Sequence, residues 1–186
     1  MSRFVLNQTP IAGLQVIQRQ PLGDERGYLE RMFCSEEFKS IIGSRKIAQI
    51  NHTKTAKAGI VRGMHFQYPP CAEMKFVSCL RGEVFDVAVD LRQDSPTFLK
   101  WHAEILSEDN HKTFLIPEGF AHGFQALSND CELVYIHTTA YKQEAEAGLN
   151  ALDARLAIKW PLTVTERSLR DQHHLMLTDD FIGMKL

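Results

Sequence analysis

The stretch Val61-Arg62-Gly63-Met64-His65-Phe66-Gln67-Tyr68-Pro69-Pro70 places an arginine, a histidine and a glutamine inside a strand-like run. Lys75 follows ten residues after His65, and His122 stands in the segment IPEGFAHGF. A histidine, whose ordinary pKa is about 6.5, can abstract a proton at neutral pH, and a nearby lysine can stabilise the oxyanion that results. Together they suit proton abstraction beside a carbonyl. Each histidine taken alone reads better as a polar residue hydrogen-bonded in the core; it is the convergence of these residues with two tyrosines that favours chemistry. Tyr135 and Tyr141 add hydroxyls that stay protonated at pH 7, with an ordinary pKa of about 10, and can return a proton to a carbanion. A base on one side of a carbon and an acid on the other make an epimerase. The competing reading takes both rings as core aromatics.

A metal centre built from His65, Gln67, Glu73 and His122 is the other chemistry these residues could serve. Gln67 counts against it, because an amide is a poor ligand for the first-row metals that favour imidazole. No metal is expected. Arg26, Arg62 and Arg170 offer guanidinium forks that match the paired oxygens of a diphosphate. Asp171, next to Arg170, can accept the second ring proton of a histidine and so set its tautomer. Which histidine it meets is not given by spacing.

These residues have to be held by short strands. In Val84–Leu91, VFDVAVDL, Phe85, Val87, Val89 and Leu91 share one face, expected to be core, while Val84, Asp86, Ala88 and Asp90 share a face that can line something polar. Met74–Leu80 and Thr113–Ile116 read as further strands. Cys131–Tyr141, CELVYIHTTAY, puts Tyr135, His137, Thr139 and Tyr141 on one face. Lys75 is expected on the strand beside that of His65. Turn residues at Arg81-Gly82-Glu83, Gln93–Pro96, Ser107–Asn110, Pro117-Glu118-Gly119 and Ser128-Asn129-Asp130 give all-β spacing. The pattern predicts a barrel or sandwich around a polar cavity. Ser35 can cap a short helix through Ile42 that Gly43 closes, and a second helix is expected in the C-terminal third.

The chain of 186 residues fits one domain with a substantial core. With 21 basic and 23 acidic side chains and no block of like charge, it lacks the general field that would attract nucleic acid or an anionic membrane. Cys34, Cys71, Cys79 and Cys131 lack CxxC spacing, and MSRFVLNQTP is unlike a signal peptide. A cytoplasmic chain with reduced thiols is expected. No apolar run approaches the roughly 20 residues that span a bilayer.

In order along the chain, GDERGYLE, QINHTKTAKAGIVRGMHFQYPP, KFVSCLRGEVFDVAVDLRQDSPTF, IPEGFAHGFQALS, CELVYIHTTAY, IKWP and SLRD resemble the nucleotide-sugar 3,5-epimerases of the dTDP-4-dehydrorhamnose type. The resemblance implies an all-β fold, a cupin-type double-stranded β-helix (jelly roll) barrel with a few short peripheral helices, spanning residues 1–186 as one domain. It implies His65 as general base with Asp171 in support, Tyr135 as proton donor and Lys75 as the group that steadies the enolate at the C4 keto oxygen. His122, Gln49, Asn51, Arg62 and Arg170 match residues that hold the sugar and diphosphate. Tyr141 and Glu146 match positions at or near the nucleotide end. The implied partners are a nucleotide-diphosphate sugar and a second copy of the chain, in a homodimer with exchanged N-terminal strands, so that Arg26 could serve the neighbouring site. No cofactor is implied, since a 4-keto sugar carries its own electron sink.

Two positions depart from the family pattern. Where R-G-x-F-x-E is usual, Leu29 replaces phenylalanine and Arg31 the glutamate, reversing charge at a position expected to contact substrate. A one-residue shift cannot bring in Glu30, which would point to the opposite strand face. Glu73-Met74 replaces the usual Gln-Gly before the lysine, adding bulk and a negative charge beside the ligand. Both changes fall on residues expected to choose the substrate, which suggests a related nucleotide-linked 4-keto sugar, carried on dTDP, CDP or GDP, with inversion at C3, C5 or both.

Overall fold

The computed structural model describes residues 2–186. Its strands, in chain order, are β1 (Phe4–Gln8), β2 (Gln15–Arg19), β3 (Leu22–Asp24), β4 (Gly27–Leu29), β5 (Gln49–Thr55), β6 (Val61–Gln67), β7 (Lys75–Arg81), β8 (Glu83–Asp90), β9 (Trp101–Ser107), β10 (Lys112–Ile116), β11 (Phe120–Ala126), β12 (Cys131–His137) and β13 (Glu146–Gly148). The helices α1 (Lys39–Ile42) and α2 (Leu169–His173) are single turns. The fold is all-β and of the cupin type. A six-stranded sheet runs β1-β2-β10-β7-β12-β5 and a five-stranded sheet β13-β6-β11-β8-β9, with antiparallel pairing throughout. The two sheets are not hydrogen-bonded to each other at their edges, so the barrel is open.

Alternation along the strands builds three apolar layers. Between the sheets lie Val16, Val77, Phe114, Ile116 and Leu133 from one side and Val84, Ala88, Phe120 and Phe124 from the other. Behind the five-stranded sheet, Val87, Val89 and Leu91 pack with Leu149, Ala151, Leu156 and Trp160 of the C-terminal segment. Behind the six-stranded sheet, Ile17, Phe76, Leu115 and Ile136 pack with Phe4 and Phe38. β8 therefore buries both faces: on the face expected to be polar, Val84 and Ala88 join the inter-sheet core and Asp86 is buried against His122, while the C-terminal segment covers Val87, Val89 and Leu91 on the other.

Other local expectations shift at element ends. The Ser35 cap does not form; α1 begins at Lys39 after non-helical turns, with Phe38 at its N-cap and no side-chain cap bond, while Gly43 at φ 60° closes it through its N–H to Lys39 O. β12 ends at His137, so Thr139 and Tyr141 lie beyond the strand whose face they were expected to share. Ser168 caps α2, its Oγ accepting from Asp171 N. All four cysteines are free. Among the described residues no helix is long and apolar enough to cross a membrane.

Candidate active site

At one end of the inter-sheet space the side chains turn polar and enclose a cavity of about 600 Å³, a size suited to a small-molecule ligand. Strand register explains which side chains enter it. Lys75, His137 and Gln49 form one row across β7, β12 and β5, and Val77, Tyr135 and Asn51 form the next. All six come from the six-stranded sheet. His65, Arg62, Gln67 and His122 come from the five-stranded sheet on β6 and β11. Lys75 therefore faces His65 from the opposite sheet, not from a neighbouring strand, and its Nζ lies 3.4 Å from the His65 carbonyl oxygen.

Arg62 and His65 are three residues apart and would point to opposite sides of a regular strand. Both line the cavity because β6 carries an extra residue: His65 pairs with His122 but Arg62 with Phe124. Gly63 supplies that residue at φ 133°, where a Cβ would lie 2.5 Å from Gly123 Cα. Its N–H donates to Asp171 Oδ2 at 3.2 Å.

Asp171 reaches the strand because the C-terminal segment runs beside it, with Val61 N–H donating to Glu166 O at 3.0 Å. The buried carboxylate accepts from His65 Nε2 at 2.8 Å. Burial alone would raise the Asp171 carboxyl; the hydrogen bonds from His65 and Gly63 outweigh it and hold the pKa at about 2. Arg170 Nη2 stands 3.3 Å from the same histidine nitrogen. The shorter contact to a carboxylate places the proton on Nε2, which leaves Nδ1 with the lone pair.

Burial pushes the Tyr135 hydroxyl well above its ordinary value, so it is held protonated. His122 Nε2 and Asp86 Oδ1 form a fully buried pair at 2.6 Å, and burial pushes both toward their neutral forms. Gln49 Nε2 donates to Asn51 Oδ1 at 3.1 Å. At the mouth, Tyr141 donates to Glu146 Oε2 at 2.9 Å and Arg170 Nη1 donates to both Glu146 oxygens.

Glu73 does not present a free charge to the cavity. It bridges Lys75 Nζ at 3.1 Å and His137 Nδ1 at 2.9 Å. Burial would raise its carboxyl, yet the His137 hydrogen bond and the Lys75 ammonium hold it below the ordinary value. Arg26 and Arg31 are absent from the cavity lining. Arg26 pairs with Asp24 on the β3–β4 hairpin and Arg31 with Glu37 at 2.5 Å. Glu30 lies past the end of β4 and is drawn inward to Arg19 and His111, so the strand-face argument does not govern it. Of the thirteen site residues expected from the sequence, the cavity gathers all except these two arginines.

With that geometry the relatives can be compared. The sequence profile described as dTDP-4-dehydrorhamnose 3,5-epimerase matches residues 8–179. The dTDP-4-dehydrorhamnose 3,5-epimerase of Shigella flexneri is 42% identical over 179 residues, covering 96% of this chain and 93% of the relative. The chain belongs to the dTDP-4-dehydrorhamnose 3,5-epimerase family.

That family is one of isomerases, and its fold agrees with the present one. A crystal structure of the Legionella pneumophila Philadelphia 1 dTDP-6-deoxy-D-glucose-3,5-epimerase, in complex with dTDP-4-keto-L-rhamnose, matches with a TM-score of 0.91 at 38% identity, covering 98% of each chain. A dTDP-4-dehydrorhamnose 3-epimerase of Streptomyces niveus is 36% identical over 91% of this chain and 82% of its own. Within the cavity of this family member, sequence reasoning had given no role to His137 or Arg167 and had read Glu73 as a disfavoured metal ligand and as added charge beside the ligand. The signal for His137 was present: it sits two residues after Tyr135 and hence on the same strand face.

Proposed function

We propose that the chain is a cofactor-independent epimerase that inverts C3, C5 or both of a dTDP-linked 4-keto-6-deoxy sugar through an enolate. The observation that carries this reading is the opposition of His65 on one sheet, paired with Asp171 of α2, to Tyr135 and Lys75 on the other sheet, across a single cavity. His65 Nδ1 removes a hydrogen made acidic by the C4 carbonyl, and Asp171 stabilises the imidazolium that forms. The Lys75 ammonium takes the charge that develops on the C4 oxygen. Tyr135 returns a proton from the opposite face, and the configuration inverts. The substrate's own carbonyl is the electron sink.

Gln49, Asn51 and His122 hold the sugar, Arg62 and Arg170 the diphosphate, and Tyr141 with Glu146 the nucleotide end. Residues 1–186 act as one domain in the cytoplasm, as a homodimer whose N-terminal strands are exchanged. Exposed Tyr28 and Leu29 on the β3–β4 hairpin, and Ile50 and Leu80 on the outer face of the six-stranded sheet, support that assembly as apolar surface in need of cover. In it, Arg26 serves the partner's site.

Because Glu73 is engaged by Lys75 and His137, and Arg31 by Glu37, neither departure leaves a free charge against a ligand in this chain's own cavity, which favours dTDP over a CDP- or GDP-linked sugar. Inversion at C3 alone is the second reading, favoured by the likeness to the Streptomyces niveus 3-epimerase. The test offers dTDP-, CDP- and GDP-linked 4-keto-6-deoxy sugars in heavy water and follows deuterium entry at C3 and C5 by proton NMR. Entry at both carbons of the dTDP sugar is expected. Entry at C3 alone selects the second reading, preference for CDP or GDP overturns the nucleotide, and no entry with any sugar overturns the epimerase.

A further inference from the structure

His174 is seated beside the His65–Asp171 pair and takes no part in the chemistry above. Its ring occupies the space opposite His65 that Gly148 leaves open; a Cβ on that glycine would clash with the ring, 2.5 Å from its Cε1. Its Nε2 is buried with no hydrogen-bond partner and lies 3.9 Å from Asp171 Oδ1. The two imidazoles meet edge to face with centroids 5.7 Å apart. One ligand atom each from His65, Asp171 and His174 falls within 4.8 Å of the others.

Two imidazoles and a carboxylate are the donor set of a three-ligand zinc centre whose fourth position is open. Ligands at about 2.0–2.1 Å from a tetrahedral ion stand about 3.3 Å apart. The 2.8 Å contact of His65 with Asp171 has to open, and the 3.9 Å gap from His174 to Asp171 has to close, each by about half an ångström. Arg170 opposes a cation here, but it is paired with Glu146, and Glu146 with Asp171 outweighs its charge.

We propose that His65, Asp171 and His174 form an inhibitory binding site for a first-row divalent cation, with Zn²⁺ the best match to the donors. The ion takes His65 Nε2 in place of the proton there, and that proton moves to Nδ1, so the ring stays neutral and loses the lone pair that would attack the substrate. The inhibition rests on the epimerase reading; the binding does not.

The test uses the untagged full chain, stripped with EDTA and dialysed, titrated with Co²⁺ by visible absorption and with Zn²⁺ by calorimetry, beside His174→Ala and His174→Gln. One equivalent is expected to bind, with affinity falling by about tenfold or more in both variants. Metal-free turnover of the variants should stay near that of the unsubstituted chain, and Zn²⁺ inhibition of the latter should be reversed by EDTA. Absence of one-to-one binding, or equal affinity in the variants, overturns the site. Binding that the variants lose supports the site even where no form turns over sugar, a result that counts against the epimerase reading instead.

Discussion

The Nε2 atom of His65 lies 2.8 Å from Oδ1 of Asp171 across 106 residues of chain. β6 supplies one partner and the turn of α2 the other. The contact couples the tautomer of the proposed base to the docking of the C-terminal segment, so chemistry and tertiary packing should respond together to changes at either residue.

Replacing the base is the most direct check. His65→Asn should lower turnover by about 10²-fold or more, the usual worth of a positioned general base. Asp171→Asn leaves the ring in place but offers an amide to Nε2, and a loss of roughly 10²–10⁴-fold is expected by analogy with other carboxylate-oriented histidines. Deuterium exchange at C3 and C5 measures both; unchanged exchange in His65→Asn removes the base assignment.

Tyr135→Phe separates abstraction from reprotonation. The ring still fills its place between the His122 and His137 rings, so nucleotide binding should persist while formation of inverted product falls by about 10²-fold. Product NMR together with dTDP titration distinguishes this outcome from misfolding, which would abolish both.

The Asp171 carboxyl also predicts how stability depends on pH. Its folded value of about 2 is depressed from an ordinary 3.8, so its contribution is complete above the ordinary value and is lost as pH falls through the folded one. Between pH 4 and pH 2 the unsubstituted chain should therefore lose stability more steeply than Asp171→Asn. Urea midpoints across that window measure the difference, and parallel slopes would contradict it.

Gly63→Ala tests the bulge. The positive φ and the close approach to Gly123 leave no room for a methyl group, and a loss of roughly 1–3 kcal/mol in unfolding free energy is expected. Because Arg62 and His65 share the cavity only through this extra residue, turnover should fall in the protein that remains folded. Thermal unfolding paired with exchange kinetics reports both effects.

Much of the fold was legible in short segments. Alternation in Val84–Leu91 and Cys131–Tyr141 and the turn residues between strands marked the β elements, because side-chain period and turn geometry are local properties. Expectations that reached past one strand fared worse. Tyr141 was carried past the end of β12, and Lys75 was assigned to the neighbour of β6 when it stands on the facing sheet. Glu73 read as a charge offered to ligand until its two partners were in place.

By itself the sequence determined which residues alternate, where turns fall and which chemical groups are available, including a histidine, a lysine, a tyrosine and an aspartate suited to proton transfer. Tertiary structure decided that β6 and β12 belong to opposing sheets, that Asp171 meets His65 and not His122, and that Arg26 and Arg31 lie outside this chain's cavity. The physical reason is that alternation assigns a side chain to a face of its own strand but does not name the strand that face will meet. Sheet pairing and the docking of the C-terminal segment are non-local contacts, specified by the packing of the whole chain.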